Sequence, residues 1–383
     1  MSKQKKELGI FIILLLFVAY LIIAARPIPR ETVLVPHWLS SLETGVPVML
    51  EGSASERARR LPQWLVPFTM GSRFGFVDQS GTFAVNNTRT GEIYLSGNLW
   101  TEYTAAPLNI EIKNVNSETV VNIEDPRGYP ILLDNRIFIL GSEQNSLAEI
   151  DRSSGDILWV YEFGAPLTCI DAAAGFLVAG SVDGIIEVLD SGGKRLYYFE
   201  PGGSRYSVIL GCAISKDGSR IGIISGIDQQ RFLMLERFGS AGDYRVVYHE
   251  FLDSDFRRDV FISFIDEDKR VVFESNRGIG CYSVRSRKTI KIPLDGSIKA
   301  IDTSGTAGMF FLITSTGDQQ NELVGLRFPQ DSWLAGFRAS YNMRDSIFIR
   351  APFKSDNVFL ARSGSMLVAG GGTTLISFTL EEK

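Results

Sequence analysis

Short apolar runs alternate with polar turns along nearly the whole chain after residue 70. The stretch "DRSSGDILWVYEFG" (151–164) shows the pattern: a polar turn carrying Gly155, then an apolar run holding Trp159 and Tyr161. "DSGGKRLYY" (190–198) and "NNTRTGEIYLSG" (86–97) repeat its shape. "CYSVRSRKTIKIPLDGSIKAID" (281–302) repeats it again, with Lys288 at the glycine position. "SKDGSRIGIIS" (215–225), "DEDKRVVFES" (266–275) and "SGSMLVAGGGTTLISFTL" (363–380) also set polar turns before apolar strands. Asn, Asp, Ser and Gly supply the backbone angles that tight hairpins need, so each copy predicts two strands around a turn.

Residues 72–383 divide into seven such units, near 72–105, 106–165, 166–205, 206–255, 256–297, 298–343 and 344–383. Their mean of about 44 residues matches one four-stranded propeller blade. One blade leaves its faces uncovered, and radial stacking buries them. The expected fold is all-β: a single β-propeller of about seven four-stranded blades, preceded by one N-terminal transmembrane helix. The expected domains are a cytoplasmic tail (1–7), an anchor (8–25), a connecting segment (26–70) and the propeller (71–383). Within the connecting segment "ETVLVPHWL" predicts a strand that pairs with the last blade and closes the ring, hiding exposed edges.

Leu8–Ala25 contains no charged residue. As a helix at ~1.5 Å per residue it approaches the ~30 Å hydrocarbon thickness. Lys3, Lys5 and Lys6 precede it, against Arg26 and Arg30 after it, which orients the N-terminus to the cytoplasm. The expected localisation is the cell membrane, single-pass, with the propeller extracytoplasmic, and periplasmic in a bacterium with two membranes. A cleaved signal peptide is the rival reading, with "IIAARP" a poor cleavage site.

Over residues 144–203, "LAEIDRSSGDILWVYEFGAPL" and "GFLVAGSVDGIIEVLDSGGKRLYYF" resemble the quinoprotein-like (PQQ-like, WD40-type) β-propeller repeat family. Beyond residue 206 the pattern is similar to generic propeller repeats, without the Trp-Asp dipeptide of the WD40 type. The resemblance implies the fold. Function is implied only loosely, since propellers serve as enzymes, sensors and scaffolds.

Composition agrees with strands: 25 Phe and 12 Tyr stand against 2 His. The net charge of −5 is a poor match for phosphates, so no nucleic-acid partner is expected. Cys169, Cys212 and Cys281 are odd in number and widely spaced, and read as small core residues. His37 and His249 lack partners at metal-ligand spacing. Asp253, Asp255 and Asp259 enclose Arg257 and Arg258 and lack the glycine and glutamate of a calcium loop, so they predict a solvated loop between blades. Ser191-x-x-Lys194 and Ser355-Asp356-Asn357 fit two signatures of serine β-lactam enzymes, but Ser191 falls in a turn and no Lys-Thr-Gly exists. Trp159 is expected to plug the gap between blades. Trp38 and Trp64 are expected to pack on the propeller or to sit near a membrane interface.

No catalytic, cofactor-binding or metal residue is therefore assigned, no cofactor is expected, and the chain is not expected to be an enzyme. The expected function is a membrane-anchored scaffold that presents loops near Ser181–Gly184, Ser275–Gly278 and Ser315–Asp318 to a protein partner. Resemblance to the quinoprotein-like propellers of outer-membrane protein assembly extends this to envelope assembly, although the anchoring cysteine of those lipoproteins is missing here. The alternative is a small-ligand sensor or quinoprotein-like enzyme that uses the central channel.

Overall fold

The turns close as their sequence predicts. The Asp190 carboxylate accepts from the backbone N–H groups of Gly192 and Lys194, each at 2.9 Å. Gly193 supplies φ of +76°, a conformation that costs glycine little. Asp78 does the same for Ser80 and Thr82, with Gly81 at +83°. Each turn reverses the chain into an antiparallel partner.

The computed structural model describes residues 13–17, 20, 32–50, 65–239, 243–302, 304, 308–317, 319–328, 346–364 and 366–382. Contacts divide the chain into Pro36–Thr379 and a small unit of Met1–Val35 with Leu380–Lys383. The larger unit is built from eight antiparallel sheets, the blades of a propeller.

Blade 8 closes the chain on itself and takes β1 (Thr32–Ser41) and β2 (Pro47–Met49). Blade 1 holds β3 (Leu65–Met70), β4 (Arg73–Asp78) and β5 (Phe83–Thr88). Blade 2 runs through β6 (Glu92–Ser96), β7 (Leu99–Tyr103), β8 (Asn109–Asn114) and β9 (Thr119–Glu124). Blade 3 is β10 (Gly128–Leu133), β11 (Arg136–Gly141), β12 (Ser146–Ile150) and β13 (Ile157–Glu162). Blade 4 follows with β14 (Leu167–Ala173), β15 (Phe176–Ser181), β16 (Ile186–Leu189) and β17 (Arg195–Phe199). Blade 5 has β18 (Ile209–Ile214), β19 (Arg220–Ser225), β20 (Arg231–Phe238) and β21 (Asp243–Phe251). Blade 6 has β22 (Ile262–Ile265), β23 (Arg270–Ser275), β24 (Gly278–Ser283) and β25 (Lys288–Pro293). Blade 7 is formed by β26 (Ser297–Ile301), β27 (Met309–Gly317), β28 (Gln320–Arg327) and β29 (Ile347–Lys354). β30 (Val358–Ser363), β31 (Met366–Gly371) and β32 (Thr374–Glu382) complete blade 8 in the order β2-β1-β32-β31-β30.

The strand expected from "ETVLVPHWL" is thus β1, and it lies beside β32. Leu42 N–H donates to Thr373 C=O at 2.8 Å, which fastens the end of β1 to the last hairpin.

The core lies in layers between consecutive blades. Val178, Ile186 and Val188 of blade 4 meet Ile209, Ile221 and Leu233 of blade 5. Phe232 of blade 5 stacks on Phe273 of blade 6, with ring centroids 4.6 Å apart. Trp38 of blade 8 meets Val66 and Phe68 of blade 1. Each fully buried side chain of this size contributes ~1.5–3 kcal/mol, so every blade relies on its neighbours.

Two expectations are corrected. The propeller has eight blades, not about seven. The seven-unit count split residues 72–165 in two, where the structure places β4 to β13, the end of blade 1 and all of blades 2 and 3. Blade 2 spans only residues 92–124, so a repeat length near the average merged it with its neighbours. The second correction concerns the transmembrane helix and the cell-membrane localisation drawn from it. Among the described residues no helix is long and apolar enough to cross a membrane. Residues 13–17 and 20 are helical, and the remainder of 8–25 lies outside the described residues.

Candidate functional site

In an antiparallel blade the first-to-second and third-to-fourth turns share one end. The second-to-third turn and the link to the next blade share the other. On the first of these ends, blades 5, 6 and 7 border a cleft of about 730 Å³, within the ~300–1,000 Å³ range of ligand-sized pockets. It is lined by Arg220, Glu236, Asp266–Arg270, Val284, Arg285, Gly308 and Phe328.

The turn between β22 and β23 forms one wall. Asp266, Glu267 and Asp268 have φ of 56°, 53° and 62°, three successive non-glycine residues in the left-handed region. Aspartate tolerates that region better than glutamate, so the strain centres on Glu267. Lys269 N–H donates to Asp266 C=O at 3.1 Å and closes the turn. The Asp268 carboxylate accepts from Lys216 N–H at 2.8 Å, which ties this turn to the corresponding turn of blade 5. Burial pushes the Asp268 carboxyl up, and the Lys216 N–H works against that shift.

Ion pairs fix the remaining walls. Arg270 is 3% exposed, its Nε lies 3.4 Å from Asp266 Oδ2, and its guanidinium lies over the Phe328 ring at 5.7 Å. Glu236 receives Arg220 Nε at 3.2 Å from its own blade and Arg287 Nη2 at 3.5 Å from blade 6. The cleft therefore presents four basic and four acidic side chains, with Phe328 and Val284 as its apolar surface. Among the described residues its lining includes no hydroxyl, thiol or imidazole. Such an arrangement positions fixed charges of both signs. Among the described residues no group of three or more His, Cys, Asp or Glu side chains is placed to hold a metal ion.

The loops singled out from the sequence lie at the opposite end. Ser181–Gly184, Ser275–Gly278 and Ser315–Gly317 are second-to-third turns of blades 4, 6 and 7, and Asp318 lies outside the described residues. Ser191 and Lys194 flank the third-to-fourth turn of blade 4, whereas Ser355–Asn357 link blades 7 and 8. The two serine-enzyme signatures thus occupy opposite ends of the blades. The segment holding Asp253, Asp255 and Asp259 joins blades 5 and 6, as expected, and its Arg258 is bidentate with Glu274 at 2.6 and 2.9 Å. His37 is buried and hydrogen-bonded to Thr379, and His249 lies on β21 beside Phe251. Trp64 and Trp333 lie outside the described residues.

Two of the four charged residues on the first strands of the described blades are committed to structural partners. Asp171 Oδ2 accepts from Ile214 N–H across the blade 4–5 gap at 2.9 Å. Burial raises its carboxyl to about 6, and Asp134 adds to that shift. Arg362 donates to Gly364 C=O at 2.9 Å and lies 4.0 Å from Asp302. Cys169 packs against the cluster that contains Cys212, and Cys212 and Cys281 are buried. The Cys212 thiol is pushed well up by its hydrogen bond with Cys169 and by burial.

The geometry agrees with comparisons to known proteins. A Treponema pallidum (strain Nichols) protein described as uncharacterized is 28% identical over 302 residues, covering 77% of this chain and 78% of that one. BamB from Moraxella catarrhalis shares the fold at 13% identity and TM-score 0.55, over 91% of this chain and 100% of that chain. The computationally designed Ika8 protein does so at 12% identity and TM-score 0.59, over 83% and 94%. The family described as beta-propeller protein matches residues 1–383, and the chain belongs to it.

Proposed function

We propose that this propeller is a non-catalytic protein-binding scaffold whose cleft across blades 5, 6 and 7 receives a charged loop of a protein partner. The observation that carries the reading is the cleft itself: a rigid wall pinned by Asp268 and four side chains of each charge sign set around Phe328 and Val284. Small-ligand pockets place only a few polar groups, whereas eight charged side chains line this cleft. Alternating fixed charges favour a matching protein surface and give specificity to the encounter. The Asp-x-x-Gly turns that receive Trp38 and Trp159 support the narrower quinoprotein-like membership. Envelope assembly as the process is supported only by resemblance to the outer-membrane-assembly propellers.

A photo-crosslinking amino acid at Lys269 or Arg285, compared with one at Asp183 on the opposite end, tests the proposal in intact cells. A discrete protein adduct from the two cleft positions and none from Asp183 is expected. No adduct from either cleft position would overturn it.

A further inference from the structure

The outermost strand of a blade carries a row of unpaired N–H and C=O groups, and proteins usually guard it with Lys, Arg or Pro. Guards are visible on most blades here. β25 exposes Lys288, Lys291 and Pro293, β29 exposes Arg350, Pro352 and Lys354, and β2 begins with Pro47. β13 has none. Its sequence is ILWVYE, with Ile157 62% exposed, Leu158 54% and Val160 57%. It is the terminal strand of its sheet.

Register identifies which backbone groups face outward. Phe163 N–H donates to Asn145 C=O at 2.7 Å, just past the last β12–β13 pair. Alternation along an antiparallel ladder then turns Tyr161 and Trp159 toward β12, and Val160 and Glu162 away from it. Trp159 and Tyr161 are further engaged with blade 4 through Ser191 and Glu187. The open edge therefore offers the amides of Val160 and Glu162 among apolar side chains. It is flanked by exposed Asp156 and Glu162, with no basic residue between them.

We infer that β13 is a strand-addition site for an extended, apolar partner segment whose ends carry Lys or Arg. The inference rests on the scaffold reading and adds a second contact to it. An extended chain matches a row of backbone donors and acceptors, and alternate side chains set specificity. The acidic flanks select the basic ends. A second copy of this chain fits less well. Antiparallel pairing of two β13 strands centred on Val160 sets each Glu162 opposite Leu158 of the other copy, with no cation to answer it.

The test uses a fluorescein-labelled peptide, Lys-Lys-Val-Thr-Val-Tyr-Val-Thr-Lys-Lys, and its counterpart with Glu in place of every Lys. Anisotropy is read with the full chain and with Val160→Pro. Proline removes an outward N–H and leaves the internal ladder intact, and edge strands tolerate it. Unchanged circular dichroism and melting temperature establish that the variant folds. Saturable binding of the lysine peptide is expected, about tenfold or more weaker for the glutamate peptide and for Val160→Pro. Hydrogen exchange at Val160 and Glu162 slows on binding. Equal binding by Val160→Pro overturns the proposal. So does self-association of the full chain that Val160→Pro abolishes, which makes a second copy the occupant. If the peptide fails while crosslinks from Lys269 and Arg285 persist, the strand site falls and the scaffold reading stands.

Discussion

Trp159 packs directly on Gly193 of the next blade, and Trp38 repeats the arrangement on Gly81. Each indole donates to the turn it covers, Trp159 to Ser191 C=O at 3.1 Å and Trp38 to Gln79 C=O at 2.9 Å. A Cβ at Gly193 would lie 2.5 Å from Trp159 Cδ2, and one at Gly81 2.8 Å from Trp38 Cδ2. Both glycines also need positive φ. Gly193→Ala therefore suffers a clash and a backbone penalty together. A loss of about 2 kcal/mol is expected by urea denaturation. Trp159→Phe keeps most of the ring and loses the hydrogen bond, at about 1 kcal/mol.

The strained turn at the cleft gives predictions of opposite sign. Glu267→Gly relieves a left-handed glutamate and is expected to raise stability by up to ~1 kcal/mol. Asp268→Ala leaves the Lys216 N–H without its carboxylate and is expected to cost about 1–2 kcal/mol. Thermal melts of the two variants beside the parent check the pair.

Asp171 ties stability to pH. Burial raises its carboxyl to about 6 in the fold, whereas an unfolded aspartate titrates near ~3.9. Between those values the folded state holds a proton that the unfolded state has released. This group's stabilisation is therefore complete below about pH 4 and is lost as pH rises through 6. Its full size is about 3 kcal/mol. Asp217 has the opposite sign: despite burial, hydroxyl donation from Ser215 and Ser219 lowers it to about 2, and its contribution is lost below pH 4. Asp171→Asn keeps an acceptor for Ile214 N–H. It is expected to flatten the stability profile between pH 4 and 6.5 and to match or exceed the parent at pH 7.5.

The cysteines divide by access. Cys212 and Cys281 are buried, whereas Cys169 is half-buried. In the folded chain iodoacetamide is expected to label Cys169 first, with all three labelled in denaturant. Rapid labelling of Cys212 in the folded state would contradict its placement between blades 4 and 5.

The hairpins were legible because Asp, Ser and Gly mark turns locally. From residue 166 to residue 297 the sequence units coincide closely with blades 4, 5 and 6. Trp159 as a plug between blades was legible too. The matching dock of Trp38 on Asp78-Gln79-Ser80-Gly81 was readable in principle, since that turn repeats the Asp190–Gly193 form. Its tryptophan lies 40 positions upstream, across the closure of the chain, so no local pattern links the two. The cleft had no local signal. Arg220, Glu236, Asp266 and Phe328 come from three blades, and their balanced charges leave no run or spacing to read. The open edge at β13 was hidden for another reason: Ile157, Leu158 and Val160 share an unbroken apolar run with Trp159 and Tyr161, and such a run does not show which of its faces is exposed.

Closure of the eighth blade by β1 is the claim on which the rest stands. Trp38 is fully buried, Leu42 is 1% exposed, and Ser40 Oγ donates to Gly81 C=O at 2.7 Å. The decisive measurement is equilibrium unfolding of the chain lacking residues 1–50, beside one lacking residues 1–31. Loss of Trp38 alone is worth about 3–5 kcal/mol. The shorter deletion is predicted to keep the parent transition, and the longer to lose that stability or its cooperative transition altogether. Identical transitions for the two would contradict a ring closed by β1.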